Sequence, residues 1–189
     1  MKANPNAIWV LQGWQLNPRQ EMLNGIAKKD QVLILDLNCE NDPAWGNRNG
    51  YGGIPFVWCA LNNYGGRTGL LGKFPTSLEN IKKCQQQCPN LKGIGTTMEG
   101  CKFNPLFFEF YYDIAWNPLP DLKTWLRNYT VYRYGKEDAK LMDAVQQFGE
   151  TIYSVAFLAP TENDEPSSLV CYDPKPSRDF FHYKPIKYD

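Results

Sequence analysis

Short apolar runs that alternate with stretches of helical periodicity constrain this chain more than any other feature. Ala7-Ile8-Trp9-Val10-Leu11, Gln31 to Leu37 (QVLILDL), Pro55 to Leu61 (PFVWCAL) and the weaker Lys92 to Met98 each read as a buried strand. Between the first two, Pro18 opens a stretch with Met22, Leu23, Ile26 and Ala27 at helical spacing, closed by Lys28 and Lys29. Pro75 opens a second helix, striped by Leu78, Ile81, Cys84 and Cys88; Pro105 to Trp116 is apolar nearly all round and predicts a buried helix. Strands apolar on both faces, alternating with helices, imply a parallel sheet in an α/β fold. Four strands fit an open sheet or half a barrel. The polar, Gly-rich segments follow strands, which favours a (β/α)8 barrel, because that fold builds its active site there.

After Pro118-Leu119-Pro120 the pattern turns all-helical. Asp121 is placed to cap a helix with Leu122, Trp125, Leu126 and Tyr129 on one face, and Leu141, Val145, Phe148 and Ile152 form another face. From Ala159 the periodicity stops, in a tail with prolines at 160, 166, 174, 176 and 185. The expected organisation is strands alternating with helices over residues 1–118, a helical stretch over 119–155, and an irregular Pro-rich tail over 156–189.

Twenty Lys plus Arg balance twenty Asp plus Glu, which argues against a nucleic-acid binder. No apolar run approaches the ~18 residues of a membrane span. The segment after Met1 does not look like a secretory leader, so the chain read from Met1 predicts a soluble, unsecreted protein. The cysteines (Cys39, Cys59, Cys84, Cys88, Cys101 and Cys171) form no CxxC pair and His182 is the single histidine, so neither a metal nor another cofactor is expected. Cys84 and Cys88 would share one helix face as small buried apolar residues. Asn128-Tyr129-Thr130 is a glycosylation sequon, meaningful only in a secretory protein. With 6 Trp, 11 Tyr and 10 Phe, the chain has aromatics to spare for sugar platforms as well as for a core.

Carboxylates near strand ends are the candidates for chemistry. Glu99 is expected to end the fourth strand, inside Gly93-Ile94-Gly95-Thr96-Thr97-Met98-Glu99-Gly100; Asp36 lies within the second strand between Leu35 and Leu37, as a buried hydrogen-bonding group would; Glu40 lies just beyond it. A glycosidase needs two carboxyl groups about the scissile bond, ~5–5.5 Å apart for retention. Cysteine nucleophilicity is the competing chemistry at Cys39, Cys59 and Cys101, but His182 sits far away in the tail.

Several motifs in order carry a resemblance. They are Trp9-Val10-Leu11-Gln12-Gly13-Trp14, Leu35-Asp36-Leu37, Pro55-Phe56-Val57-Trp58-Cys59, Asn63-Tyr64-Gly65-Gly66, Gly95-Thr96-Thr97-Met98-Glu99-Gly100, Ala115-Trp116 and Tyr132-Arg133-Tyr134-Gly135. Over residues 7 to 153 the series resembles the α-N-acetylglucosaminidases, glycoside hydrolase family 89. The resemblance implies residues 1–118 as the second half of a (β/α)8 TIM-barrel catalytic domain and 119–155 as the start of an all-helical C-terminal domain, and retaining exo-cleavage of terminal α-linked N-acetylglucosamine. In animals it implies heparan sulfate as substrate and a lysosomal or secretory location; full-length members could oligomerise. It implies Glu99 as catalytic nucleophile and Trp14, Leu37 and Tyr64 as walls of the sugar pocket, with Tyr64 in place of Phe. No residue here matches the family's acid/base glutamate, which follows an earlier strand in an Asn-Glu motif. The chain therefore reads as a truncated product, a partial sequence or a decayed paralogue, inactive by itself. The alternative is a non-catalytic, sugar-binding or vestigial relative.

Overall fold

The computed structural model describes residues 4–62, 72–99, 104–117 and 121–154. Four strands, β1 (Trp9–Gly13), β2 (Val32–Asp36), β3 (Phe56–Ala60) and β4 (Leu91–Thr96), form one sheet in the order β1-β2-β3-β4. Every pairing is parallel, with Trp9 opposite Val32, Ile34 opposite Phe56 and Phe56 opposite Leu91. The α/β fold expected from the alternation is what forms. The helices are α1 (Gln20–Asn24), α2 (Ala44–Asn47), α3 (Phe74–Gln87), α4 (Pro105–Trp116), α5 (Leu122–Tyr134) and α6 (Ala139–Glu150). Among the described residues no helix is long and apolar enough to cross a membrane.

The described residues fall into two compact units. The first draws on Met1–Leu61, Thr76–Thr97 and Tyr111–Asn117. Its core is the middle of the sheet: Ile34, Phe56, Trp58 and Ala60 are fully buried. Trp58 stacks on Tyr111 at 5.4 Å. Asn80 Oδ1 accepts from the indole N–H of both Trp58 and Trp45, at 3.0 and 3.1 Å, so neither buried ring leaves its donor unsatisfied. The β1 edge differs. Trp9 and Val10 point to opposite faces, yet are 48% and 51% exposed, so both faces of that edge are open.

The second unit draws on Asn62–Pro75, Met98–Phe110 and Pro118–Asp189. Phe74 centres it, stacked on Phe110 at 4.2 Å and on Tyr153 at 4.9 Å. Trp125 meets Phe110 edge-on at 5.1 Å. Asn104 Oδ1 accepts from the Tyr153 hydroxyl at 2.8 Å, tying the start of α4 to the end of the described chain. Asp121 caps α5 as its position predicts, accepting from the Thr124 amide at 2.9 Å. Asp138 caps α6 in the same way, and Gly135, left-handed at φ 71°, ends α5. Gly149 fits closely under Leu126, where a Cβ would meet its Cδ1 at 2.3 Å.

Several boundaries differ from those the sequence predicts. The helix expected from Pro18 to Lys29 forms only over Gln20–Asn24 and is followed by a 3-10 turn at Lys29–Gln31. Helix α4 is not buried all round: Leu106, Phe107, Phe108 and Phe110 are, but Tyr112 and Trp116 are 45% and 86% exposed. Cys88 lies one residue beyond α3 rather than within it, and both it and Cys84 are buried free thiols. The polar, Gly-rich segment from Asn38 to Gly53 contains α2 and then a left-handed turn. Asn49, Gly50, Tyr51, Gly52 and Gly53 all have positive φ, from 48° to 87°. Left-handed geometry costs a non-glycine residue about 1–2 kcal/mol, so three glycines make this turn affordable while Asn49 and Tyr51 carry strain.

Candidate active site at the strand ends

Parallel pairing puts the C-terminal ends of β1, β2 and β3 along one edge of the sheet, and the residues that follow them line it. Trp14 follows β1 and Leu37 follows β2; both are half-buried. The Leu37 amide donates to Gly13 O at 3.0 Å, extending the β1–β2 pairing beyond β2. Trp14 and Asn17 exchange two backbone hydrogen bonds, 3.2 and 2.9 Å, that close a tight loop. Tyr64, Cys101 and His182 lie outside the described residues. Glu99 does not end β4 but follows it by three residues, exposed and in a bend. Strand β4 ends at Thr96, the Thr97 amide bonds Ala60 O at 2.8 Å, and Met98 and Glu99 follow.

The other two carboxylates have different work. Asp36, the last residue of β2, is fully buried, and its Oδ2 accepts from the Trp45 amide at 2.9 Å, at the start of α2. Burial raises its carboxyl above the ordinary value; the Tyr51 hydroxyl opposes that shift, as do the Cys39 thiol and the Trp45 amide. Glu40 is buried as well, and both its oxygens accept from the Leu61 amide, at 3.0 and 3.1 Å. It thus reaches from the turn after β2 to the end of β3. The turn that aims it is closed by Asn38, left-handed at φ 63°, whose carbonyl accepts from Asn41 and Asp42.

At Cys39 and Cys59 the surroundings do not support thiol chemistry. Burial, first of all, pushes the Cys59 thiol up to about 12 and Cys39 well above its usual range, and neighbouring Asp36 adds to both shifts. A catalytic thiol needs the opposite environment, one that favours the thiolate. Among the described residues no three of His, Cys, Asp and Glu gather to hold a metal ion.

Sequence reasoning missed Tyr51, Arg48, Asn80 and Asn90. Asn90 donates to Gly50 O and Ile54 O at 2.8 and 2.6 Å, fastening both sides of the left-handed turn. The signal was present in Asn49-Gly50-Tyr51-Gly52-Gly53: such a density of Gly and Asn is what consecutive positive φ angles demand.

A parallel β/α sheet with side chains gathered after its strands is the strand-end site layout of a β/α-barrel enzyme. The chain belongs to the α-N-acetylglucosaminidase family: residues 1–118 match its "Alpha-N-acetylglucosaminidase (NAGLU) tim-barrel domain". The human alpha-N-acetylglucosaminidase is 30% identical over 141 residues, covering 68% of this chain and 19% of that protein. Among solved structures, a family 89 glycoside hydrolase from Clostridium perfringens in complex with PUGNAc superposes with a TM-score of 0.74 at 35% identity. It covers 80% of this chain and 17% of that one. A form of that enzyme with two glutamates replaced by glutamine, in complex with its substrate GlcNAc-α-1,4-galactose, superposes with a TM-score of 0.73 at 36% identity. The chain thus spans under a fifth of the length of these relatives.

Proposed function

We propose that this chain provides the nucleophile side of a retaining exo-α-N-acetylglucosaminidase site, with Glu99 as the nucleophile and Trp14, Leu37 and Tyr64 as walls of the sugar pocket. The observation that carries this reading is the arrival of Glu99 just after the fourth parallel strand of a chain belonging to this family. In the reaction an ionised carboxylate attacks the anomeric carbon, the glycosidic bond breaks as a partner acid protonates the leaving oxygen, and water then releases the sugar from the ester. Trp14 and Tyr64 would offer aromatic faces to the apolar C–H surface of the pyranose, and Leu37 an apolar wall. The substrate is terminal α-linked N-acetylglucosamine, on heparan sulfate in an animal setting, and the location lysosomal or secretory. The domain reading is residues 1–118 as barrel, 119–155 as the start of a helical domain and 156–189 as an irregular tail.

A polypeptide of these 189 residues alone is expected to bind rather than cleave. Asp36 and Glu40 are buried and held by backbone amides, which supports the view that neither serves as the partner acid. This also keeps a sugar-binding, non-catalytic role as the second reading. The test completes the site by joining a relative's first barrel half to this sequence and comparing Glu99 with Glu99→Gln. Loss of hydrolysis on substitution, with Glu99 labelled by a 2-fluoro sugar inactivator, is the expected result. Undiminished turnover, or label on another residue, overturns the assignment.

A further inference from the structure

We propose that Tyr51 is a positioning residue that sets Trp14 and Leu37 in place from beneath, acting through Gly13, Asp36 and Arg48. The inference rests on the reading of Trp14 and Leu37 as sugar-pocket walls.

Tyr51 is fully buried although its backbone is left-handed at φ 56°, between glycines that share that geometry. A strained residue persists where its surroundings over-determine it, and such residues gather at functional sites. The strain has a visible product, the location of the phenol. A Cβ built on Gly13 would stand 2.8 Å from the Tyr51 hydroxyl and 3.2 Å from Asp36 Cα. The hydroxyl therefore lies directly under the residue before Trp14. It also lies beside Asp36, the residue before Leu37, closely enough to oppose the rise in that carboxyl's pKa. Gly13 and Asp36 are partners in the β1–β2 register, so one phenol supports the last rung of that ladder from which both walls spring. Asp36 Oδ1 and Tyr51 Oη are buried, and neither meets full hydrogen-bond geometry with a described group, so small movements of the rung are felt by both. Arg48 completes the support. Its guanidinium sits 5.5 Å from the centre of the Tyr51 ring, and its Nη2 donates to Leu16 O at 2.9 Å, within the loop closed by Trp14 and Asn17.

The test is NMR on the full 189-residue chain with labelled indole and Leu methyl groups, Trp14 and Leu37 being assigned with Trp14→Phe and Leu37→Val. The probe is methyl α-N-acetylglucosaminide. Tyr51→Phe is expected to displace the Trp14 and Leu37 signals before any sugar is added. It is expected to weaken probe binding about threefold to tenfold, as the two walls leave their places. Arg48→Met removes the Leu16 contact from a half-buried side chain, keeps the fold, and is expected to displace Trp14 more than Leu37; if Tyr51→Phe does not fold, this variant decides. Wild-type positions for both signals in the folded variants overturn the proposal, whatever the melting temperature does. Displaced signals with no response of the wild type to the probe uphold the positioning role and sink the sugar-wall reading instead.

Discussion

Glu40 offers the sharpest test of whether a strand-end carboxylate braces the site or takes part in chemistry. Its two oxygens hold the amide of Leu61, a residue only 2% exposed, three positions before Tyr64. Glu40→Ala leaves that amide without this acceptor, and a buried donor without a partner costs about 1–3 kcal/mol. The vacated side-chain volume adds to this, so the total is about 2–4 kcal/mol. For a chain of this size that corresponds to a fall in Tm on the order of 4–16 °C. Glu40→Gln keeps one oxygen in place and gives up the charge, so its loss is about 1 kcal/mol. Hydrogen–deuterium exchange gives the local readout. The Leu61 amide should exchange at least tenfold faster in Glu40→Ala, since about 1.4 kcal/mol is a factor of ten, and much less so in Glu40→Gln. Circular dichroism melts give the global one. If Glu40→Gln matches Glu40→Ala in both, the acceptor role is wrong. If Glu40→Gln leaves exchange and melting unchanged but abolishes hydrolysis in the completed enzyme, Glu40 is an acid rather than a brace.

Asp36 predicts a pH dependence. Burial raises its carboxyl, so the folded state holds a proton at pH values where the unfolded chain has released it; stability should decline as pH rises through that interval and level off above it. Urea titrations between about pH 4 and about pH 7 should show this slope in the wild type and a flatter one in Asp36→Asn; an unchanged slope contradicts the assignment. The purified 189-residue chain should show no appreciable turnover of an aryl α-GlcNAc substrate, since general acid catalysis alone is worth ~10²–10⁴ in rate; turnover at the level of a full-length relative refutes this. Phe74→Ala should cost about 3–5 kcal/mol in urea unfolding, because the ring is stacked on both Phe110 and Tyr153; a loss under about 1 kcal/mol means the cluster repacks. Cys39, Cys59, Cys84 and Cys88 should resist a thiol reagent in the native chain at mild alkaline pH, each being buried, and mass spectrometry that finds them labelled before unfolding contradicts the packing.

The strands were legible because a parallel sheet buried on both faces leaves an unbroken apolar run, as at Val32–Asp36 and Phe56–Ala60. Helix α5 was legible because Asp121 has the chemistry of an N-cap and Gly135 that of a left-handed stop. The end of β4 was not: its glycines carry no side-chain pattern, so the position of Glu99 relative to the strand could not be read from periodicity. The turn at Asn49–Gly53 was hidden for a related reason. Glycine and asparagine announce that the backbone will bend, but not that five successive residues will bend the same way and bury the tyrosine among them. Glu40 was visible as an acid after a strand; that it spends both oxygens on a backbone amide 21 residues away depends on strand register, a tertiary fact.

The strictly sequential strand order has a kinetic consequence. Trp9 pairs with Val32, Ile34 with Phe56 and Phe56 with Leu91, so each new strand docks on the one made just before it. The loops to be closed span 23, 22 and 35 residues by those registers. Because closure entropy grows only with the logarithm of loop length, the longest costs about 0.4 kcal/mol more than the shortest. Among the described strands none waits for a partner far downstream, so this part of the sheet can grow in step with synthesis. During that growth β1 serves as the template for β2, β2 for β3 and β3 for β4.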